Sequence, residues 1–264
     1  MSTEFHFLRT SMDRAVATVL MDRPPVNAID QAMYRELRAL FSDIDQLGAG
    51  IKTVILAGAG RHFCAGNDLD EFATLAPENS DARMAEVRAA FFAIQDCAVP
   101  VIGAVHGAAL GTGLAIAASC DFVIAADDAR FGTPEVGVGI MGGARHLARL
   151  VPEPWVRQMY FTAEPMSAGQ VAALGGVIEV VPRERLLVTA REHAVRIAAH
   201  SAVLLRTAKE SLNAVELMGL QPGYTFEQGL TTRVCGDPDS QEAVRATLER
   251  RPPRYPSEAR ATSG

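Results

Sequence analysis

Four short runs of β-branched and apolar residues, separated by stretches of helical spacing, constrain this chain more than any other feature. They are residues 14–21, 53–58, 100–105 and 121–126. Asp22-Arg23-Pro24-Pro25 closes the first run as a proline turn. Asp30 then stands as N-cap to a helix in which Met33, Leu37, Leu40, Phe41, Ile44 and Leu47 recur at three and four, stopped by Gly48 and Gly50. Residues 81–97 carry a second such face of Met84, Val87, Phe91 and Ile94. The stretch Gly107 to Gly113 reads as a small-residue turn into a short apolar helix, Leu114 to Ser119. Strands alternating with helices in this way argue for βαβ units and buried sheets, hence an α/β fold.

After residue 140 the spacing predicts mostly helices, with one strand at Val177 to Val181. Ser167 with Gln170, and Asp239 with Glu242, have capping-box spacing, and Gly175-Gly176 ends the first of those helices. Residues 183–200 and 202–218 read as long amphipathic helices, and the proline-rich polar tail from Arg250 as partly disordered. There are no internal repeats. The division predicted is a mixed core, 1–195, and a C-terminal helical region, 196–264, with no obvious linker between them.

With 264 residues the chain can bury a core that needs no disulfide staples. Its four cysteines, Cys64, Cys97, Cys120 and Cys235, are scattered, which fits reduced thiols in a cytoplasmic protein rather than a disulfide frame or metal site. A net charge of −6 leaves no basic excess for a phosphate backbone, so no nucleic-acid partner is expected. The first residues lack the basic and apolar regions of a signal peptide, and no apolar stretch is long enough to span a membrane.

Four blocks resemble the crotonase (enoyl-CoA hydratase/isomerase) superfamily, in its order and spacing and over nearly the whole chain. They are Arg23 to Ile29 (RPPVNAI), Phe63 to Leu69 (FCAGNDL), Pro100 to Gly107 running on through Leu110-Gly111-Thr112-Gly113 to Cys120-Asp121, and Phe131 to Glu135 (FGTPE). The resemblance implies a spiral of βαβ turns with a C-terminal helical region that builds homotrimers, often paired into hexamers. It also implies an acyl-CoA substrate, no cofactor beyond that substrate's coenzyme A, and stabilisation of a thioester enolate.

The site residues follow from the blocks. The resemblance puts the N–H of Asn67 in one half of an oxyanion hole and the N–H of Thr112, in the glycine-rich run, in the other. A tight turn and close helix packing would use the same small residues. A dinucleotide loop does not fit, because Ile116 stands where the third glycine of GxGxxG belongs. Glu135 lies in an apolar stretch that would raise its pKa, which suits a general acid/base, and it matches the family's catalytic glutamate. The resemblance also implies that Asn27, Ala28, Ala65, Asp68, Leu69 and Gly111 bind the acyl-CoA, its coenzyme A moiety included. Arg250, with Arg251, matches a basic pair that meets CoA phosphates across a subunit interface, although Thr247 replaces the aromatic residue before it.

One departure matters: Ala115 stands where hydratases of the family carry a second glutamate. Two carboxylates hold and activate one water, so the change turns expectation toward an isomerase, or toward a C–C hydrolase of a cyclic β-ketoacyl-CoA. A silent CoA-binding member is the rival from another class. Residues 142–151 are similar to members in bacterial ring degradation. His62, His106 and His146 lie near motifs and read as structural or assisting. Neither GxSxG nor HExxH occurs, so no serine-hydrolase elbow or zinc site is expected. The resemblance implies an acyl pocket shaped largely by the segment after the first oxyanion loop, about residues 72–95, whose sequence does not itself specify the acyl group.

Overall fold

The structure, a computed structural model, describes residues 5–261. Residues 1–4, part of the stretch read for a leader, and 262–264, the end of the tail, lie outside them.

The first run becomes β2 of a hairpin, β1 (Leu8–Asp13) and β2 (Val16–Met21). Then come α1 (Gln31–Ser42), β3 (Thr53–Gly58), α2 (Leu69–Phe72), α3 (Pro77–Gln95), β4 (Val101–Val105), β5 (Ala108–Leu110), α4 (Thr112–Ser119), β6 (Phe122–Ala126) and β7 (Arg130–Gly132). The second half is α5 (Ala144–Leu147), α6 (Glu153–Thr162), β8 (Met166–Ser167), α7 (Ala168–Ala173), β9 (Glu179–Val181), α8 (Leu186–Ala198), α9 (Ala202–Val215), α10 (Leu220–Val234), α11 (Pro238–Leu248) and α12 (Pro256–Ala261).

Six strands form one sheet in the order β1-β2-β3-β4-β6-β9, parallel except for the β1–β2 hairpin. Both faces of its centre are covered, which is why these strands read as unbroken apolar runs. Alternation sorts their side chains: Val54, Leu56, Val101 and Val105 join the larger core with α1, α3 and α4, while Ile55, Ala57, Ile102 and Ala104 pack with Leu186, Ala190 and Ala194 of α8. A second sheet, β5-β7-β8, lies beside it.

The differences from expectation have local causes. Asp30 caps α1 through Met33 N–H, but the helix ends at Ser42 and Ile44–Leu47 continue as a separate 3-10 turn. The turn expected at Gly107 to Gly113 contains strand β5, whose partner is the distant β7. The capping box at Asp239 and Glu242 is not there: Asp237 caps α11, with Pro238 at its first position. Asp239 is instead 1% exposed and accepts from Ser201 Oγ, Ser257 N and Ser257 Oγ, while Glu242 accepts from Arg251 and Arg254 N. These bonds dock the tail that was expected to be partly disordered. Its Tyr255 is buried, with the Lys52 ammonium 5.5 Å from the ring centre, and α12 follows. Residue 196 falls inside α8, which packs on the sheet, so the structural break comes at Ser201, the N-cap of α9. Lys209 of α9, 4% exposed, ties the helical region back to the core by an ion pair of 2.5 Å to Asp121.

Candidate active site

The site is assembled on a ridge of backbone hydrogen bonds. Cys64 N–H donates to Ala108 O and Leu110 N–H to Cys64 O, which fastens the loop after β3 alongside β5. Ile29 N–H donates to Gly66 O and Asp68 N–H to Ile29 O, which fastens the same loop on its other side. Among the described residues this leaves Asn67 N–H without a partner.

Beside it, Gly111 N–H donates to Gly132 O, and Gly111 caps α4 with φ 53° and ψ −115°, a conformation that favours glycine. The next amide, Thr112 N–H, opens α4 and is also unpartnered among the described residues. A helix N-terminus carries partial positive charge as well as free donors. Gly113 brings the two halves together. A Cβ there would lie 2.1 Å from Cys64 O, so only a residue without a side chain lets α4 approach the loop this closely.

Glu135 begins a 3-10 turn after Pro134 and is 6% exposed. Its Oε2 is buried and has no hydrogen-bond partner among the described residues. Gly111 and Gly143 both abut its Oε1: a Cβ on either would lie 3.3 and 3.1 Å away. Burial pushes the carboxyl above its ordinary pKa, offset by one backbone hydrogen bond. A carboxyl with a raised pKa and a free oxygen is suited to take and return a proton.

These groups face a cavity of about 480 Å³ lined by Ala28, Ala65, Asn67, Asp68, Leu69, Gly111, Thr112 and Glu135, among others. A smaller branch of about 100 Å³ shares Asn67, Gly111, Thr112 and Glu135 and runs on between Phe72, Met84, Val87, Phe91, Ala115 and Met141. The acyl pocket expected at 72–95 is this branch in part; residues 140–143 form its other side. Ala115 sits on its wall, so Glu135 is its only carboxylate among the described residues.

Two expected binding residues are elsewhere. Asn27 lies beneath the cavity, buried, with its amide accepting from Arg23 N and donating to Ala59 O and His62 O. It shapes the loop and does not line the cavity. Arg250 follows α11 with φ 53° and is not part of the cavity within one chain. Asp68 lines the cavity, but its carboxylate is engaged: it caps α2 and pairs with Arg23 at 2.6 Å. The cap amide of Glu71 and the Arg23 guanidinium hold its pKa below the usual range.

The three histidines lie outside both cavities. His62 Nδ1 accepts from Ala108 N, and His106 Nε2 donates to Gly60 O. Burial first, then nearby arginine charge, lowers the pKa of both. His146 stacks edge-on against Phe91, and burial lowers its pKa as well.

The sequence reading missed Arg23, which lines the cavity, and Tyr34. The Tyr34 hydroxyl reaches both Asn67 Oδ1 and Thr112 Oγ1 from α1. Its phase, one turn before Leu37 and two before Phe41, places it on the helix's inner face, where a tyrosine hydroxyl needs a partner. Burial raises the phenol far above its ordinary pKa, so it stays protonated.

The model of the enoyl-CoA hydratase/isomerase family matches residues 11–258. A Rhodococcus jostii protein named (7aS)-7a-methyl-1,5-dioxo-2,3,5,6,7,7a-hexahydro-1H-indene-carboxyl-CoA hydrolase is 41% identical over 222 residues, covering 82% of this chain and 84% of that one. The 2,3-dehydroadipyl-CoA hydratase of Escherichia coli is 32% identical over 257 residues, covering 94% and 98%. Among solved structures, an enoyl-CoA hydratase of Mycobacterium smegmatis superposes with a TM-score of 0.90 at 29% identity, covering 95% of this chain and 99% of that one. With this fold, these blocks and this match over nearly its full length, the chain is an enzyme of the enoyl-CoA hydratase/isomerase family, with the crotonase fold.

Proposed function

We propose that this enzyme opens the ring of a cyclic β-ketoacyl-CoA by hydrolysis. The observation that carries the reading is the lone Glu135 on the acyl branch, whose wall carries Ala115 where a second carboxylate would help hold water for simple hydration. The 41% identity to a protein named as a hydrolase of a dioxo-hexahydroindene carboxyl-CoA supports it.

The thioester oxygen binds between the amides of Asn67 and Thr112. Glu135 takes a proton from water as its oxygen adds to the ring ketone. The bond between the former ketone carbon and the thioester α-carbon then breaks. Its electron pair passes into the thioester as an enolate, held by the two amides, and the ketone becomes a carboxylic acid. Glu135 returns the proton to the α-carbon. One water is consumed, a C–C bond is exchanged for a C–O and a C–H bond, and one carboxyl group serves both proton transfers. Losing one donor of such a hole costs ~10²-fold or more.

Exposed apolar side chains on the C-terminal helices (Leu220, Tyr224, Val244 and Leu248) support assembly through 196–264 into a homotrimer or hexamer, with Arg250 reaching a neighbour's CoA. No helix among the described residues is long and apolar enough to cross a membrane, and the setting we propose is the cytoplasm.

The test is to offer an alicyclic β-ketoacyl-CoA beside crotonyl-CoA and a 3-enoyl-CoA. Mass spectrometry should find a ring-opened acid that keeps its CoA and has gained one water, and a thiol reagent should detect no free CoA. Turnover of crotonyl-CoA or the 3-enoyl-CoA alone would make the enzyme a hydratase or an isomerase instead. Turnover of none, with tight CoA binding, would make it a silent member.

A further inference from the structure

The two halves of the oxyanion hole are also joined through their side chains. Tyr34 is 1% exposed, with its hydroxyl 2.6 Å from Asn67 Oδ1 and 2.8 Å from Thr112 Oγ1. A phenol has one proton to give, and Asn67 Oδ1 can only accept. Tyr34 therefore donates to Asn67, and the Thr112 hydroxyl donates to Tyr34. The relay runs in one direction and ends on the carboxamide.

That arrangement fixes Nδ2. With Oδ1 held, the amide does not flip, and Nδ2 has no partner among the described residues. Nδ2 is not fully buried and keeps contact with open space. Asn67 lines both the main cavity and its acyl branch. The branch is otherwise bounded by apolar side chains and glycines, by Thr112, whose proton is already given, and by the acceptor Glu135.

We propose that Asn67 Nδ2–H donates to a ketone oxygen on the acyl group, so that the site selects 3-oxoacyl-CoA esters over plain acyl-CoA esters, with Tyr34 as the positioning residue. The inference rests on the reading of the cavity as an acyl-CoA site. The two oxygens of a 1,3-dicarbonyl can lie on one side, a few ångström apart. The backbone N–H and the Nδ2–H of one asparagine can address them together, the first taking the thioester oxygen and the second the ketone. A substrate without the ketone leaves this donor unpaired, and a site built around a hydrogen bond discriminates against such an analogue. During hydrolysis the same bond would hold the oxygen of the tetrahedral adduct.

The test compares dissociation constants of acetoacetyl-CoA and butyryl-CoA, which differ only in the ketone, by titration calorimetry on the intact protein. The wild type should prefer acetoacetyl-CoA by about tenfold, the scale of one hydrogen bond. Asn67→Ala keeps the backbone amide and should bring the ratio close to one. Tyr34→Phe keeps the ring and releases the carboxamide, and should lower the ratio severalfold. A change in stability alone would not move a ratio between two ligands. A wild-type ratio of one, or a ratio unchanged in Asn67→Ala, would overturn the proposal and leave the acyl-CoA site standing. If Asn67→Ala does not fold, an unchanged ratio in Tyr34→Phe overturns it. Binding of neither ester would overturn the acyl-CoA reading, and this inference with it.

Discussion

Replacing Gly113 by alanine should separate the two halves of the site. The new Cβ would lie 2.1 Å from Cys64 O, and 2.9 Å from both the carbonyl carbon and the Cβ of Cys64. Carbon and carbonyl oxygen meet comfortably at ~3.3 Å, so α4 and the loop must part by roughly 1 Å. The carbonyl cannot simply turn aside, because it accepts from Leu110 N–H at 3.1 Å. Asn67 lies three residues beyond Cys64 and Thr112 is the neighbour of Gly113, so the parting falls between the two donors. Overpacking of this kind costs ~1–3 kcal/mol, and each kcal/mol lowers the melting temperature by ~2–4 °C at about this size. A misplacement of ~1 Å at reacting groups can cost ~10²-fold in rate. Gly169 is the control: it lies in α7 with nothing within 4 Å of a built Cβ, so Gly169→Ala should be neutral or stabilising by up to ~1 kcal/mol. The assay is thermal melting of both variants followed by single-turnover kinetics on whichever CoA ester the wild type consumes. A Gly113→Ala protein with wild-type melting and wild-type rate would refute the close approach and its link to the two amides.

Three further outcomes are expected. Glu135→Gln should lower kcat by ~10²-fold or more and yet raise the melting temperature at neutral pH. Burial raises the pKa of folded Glu135 above its ordinary value of 4.5, so ionisation costs stability; that cost is absent below 4.5 and grows as pH rises through the folded pKa. Melting curves across pH should show the gap between variant and wild type closing in acid, and a gap that widens in acid would reverse the sign. Ala115→Glu should place a second carboxylate on the branch that Glu135 lines and raise crotonyl-CoA hydration, at a packing cost of ~1–3 kcal/mol; a folded variant with no gain would remove Ala115 as the limiting feature. Lys209→Met should leave the Asp121 carboxylate bonded, among the described residues, only to Val101 N and cost ~3 kcal/mol by denaturant titration, with Asp121→Asn added to it restoring part; a fully additive pair would show that the ion pair is not a unit.

The parts of the fold that were legible in the sequence are those whose signal is local. Thr53–Gly58 emerges as a strand with the bounds its apolar run suggests, because burial on both faces demands an unbroken run. β1 was not visible, since five of its six side chains are exposed and it pairs only at the edge. β5, β7 and β8, two or three residues each, take their strand character from distant partners. Asp239 misled because its spacing to Glu242 fits a capping box, although Asp237 before Pro238 was the better signal. At the site, the blocks located Asn67, Thr112 and Glu135 on one cavity. Tyr34 reaches Asn67 and Thr112 across 33 and 78 residues of sequence, and no spacing rule spans such a distance.

The backbone ridge under the site has a consequence for how such a chain can change. Cys64 to Ala108, Leu110 to Cys64, Gly111 to Gly132 and Ile29 to Gly66 are main-chain bonds, indifferent to most substitutions. The walls of the acyl branch come from other segments, with Phe72 closing α2, Met84, Val87 and Phe91 on α3, and Met141 before α5. The apolar walls that shape the acyl branch and the polarising pair are thus encoded in separable stretches of sequence. A library confined to those five wall positions can sample new acyl shapes while every member keeps its two amides in register, and drift along α3 can move the preferred substrate without first dismantling the chemistry.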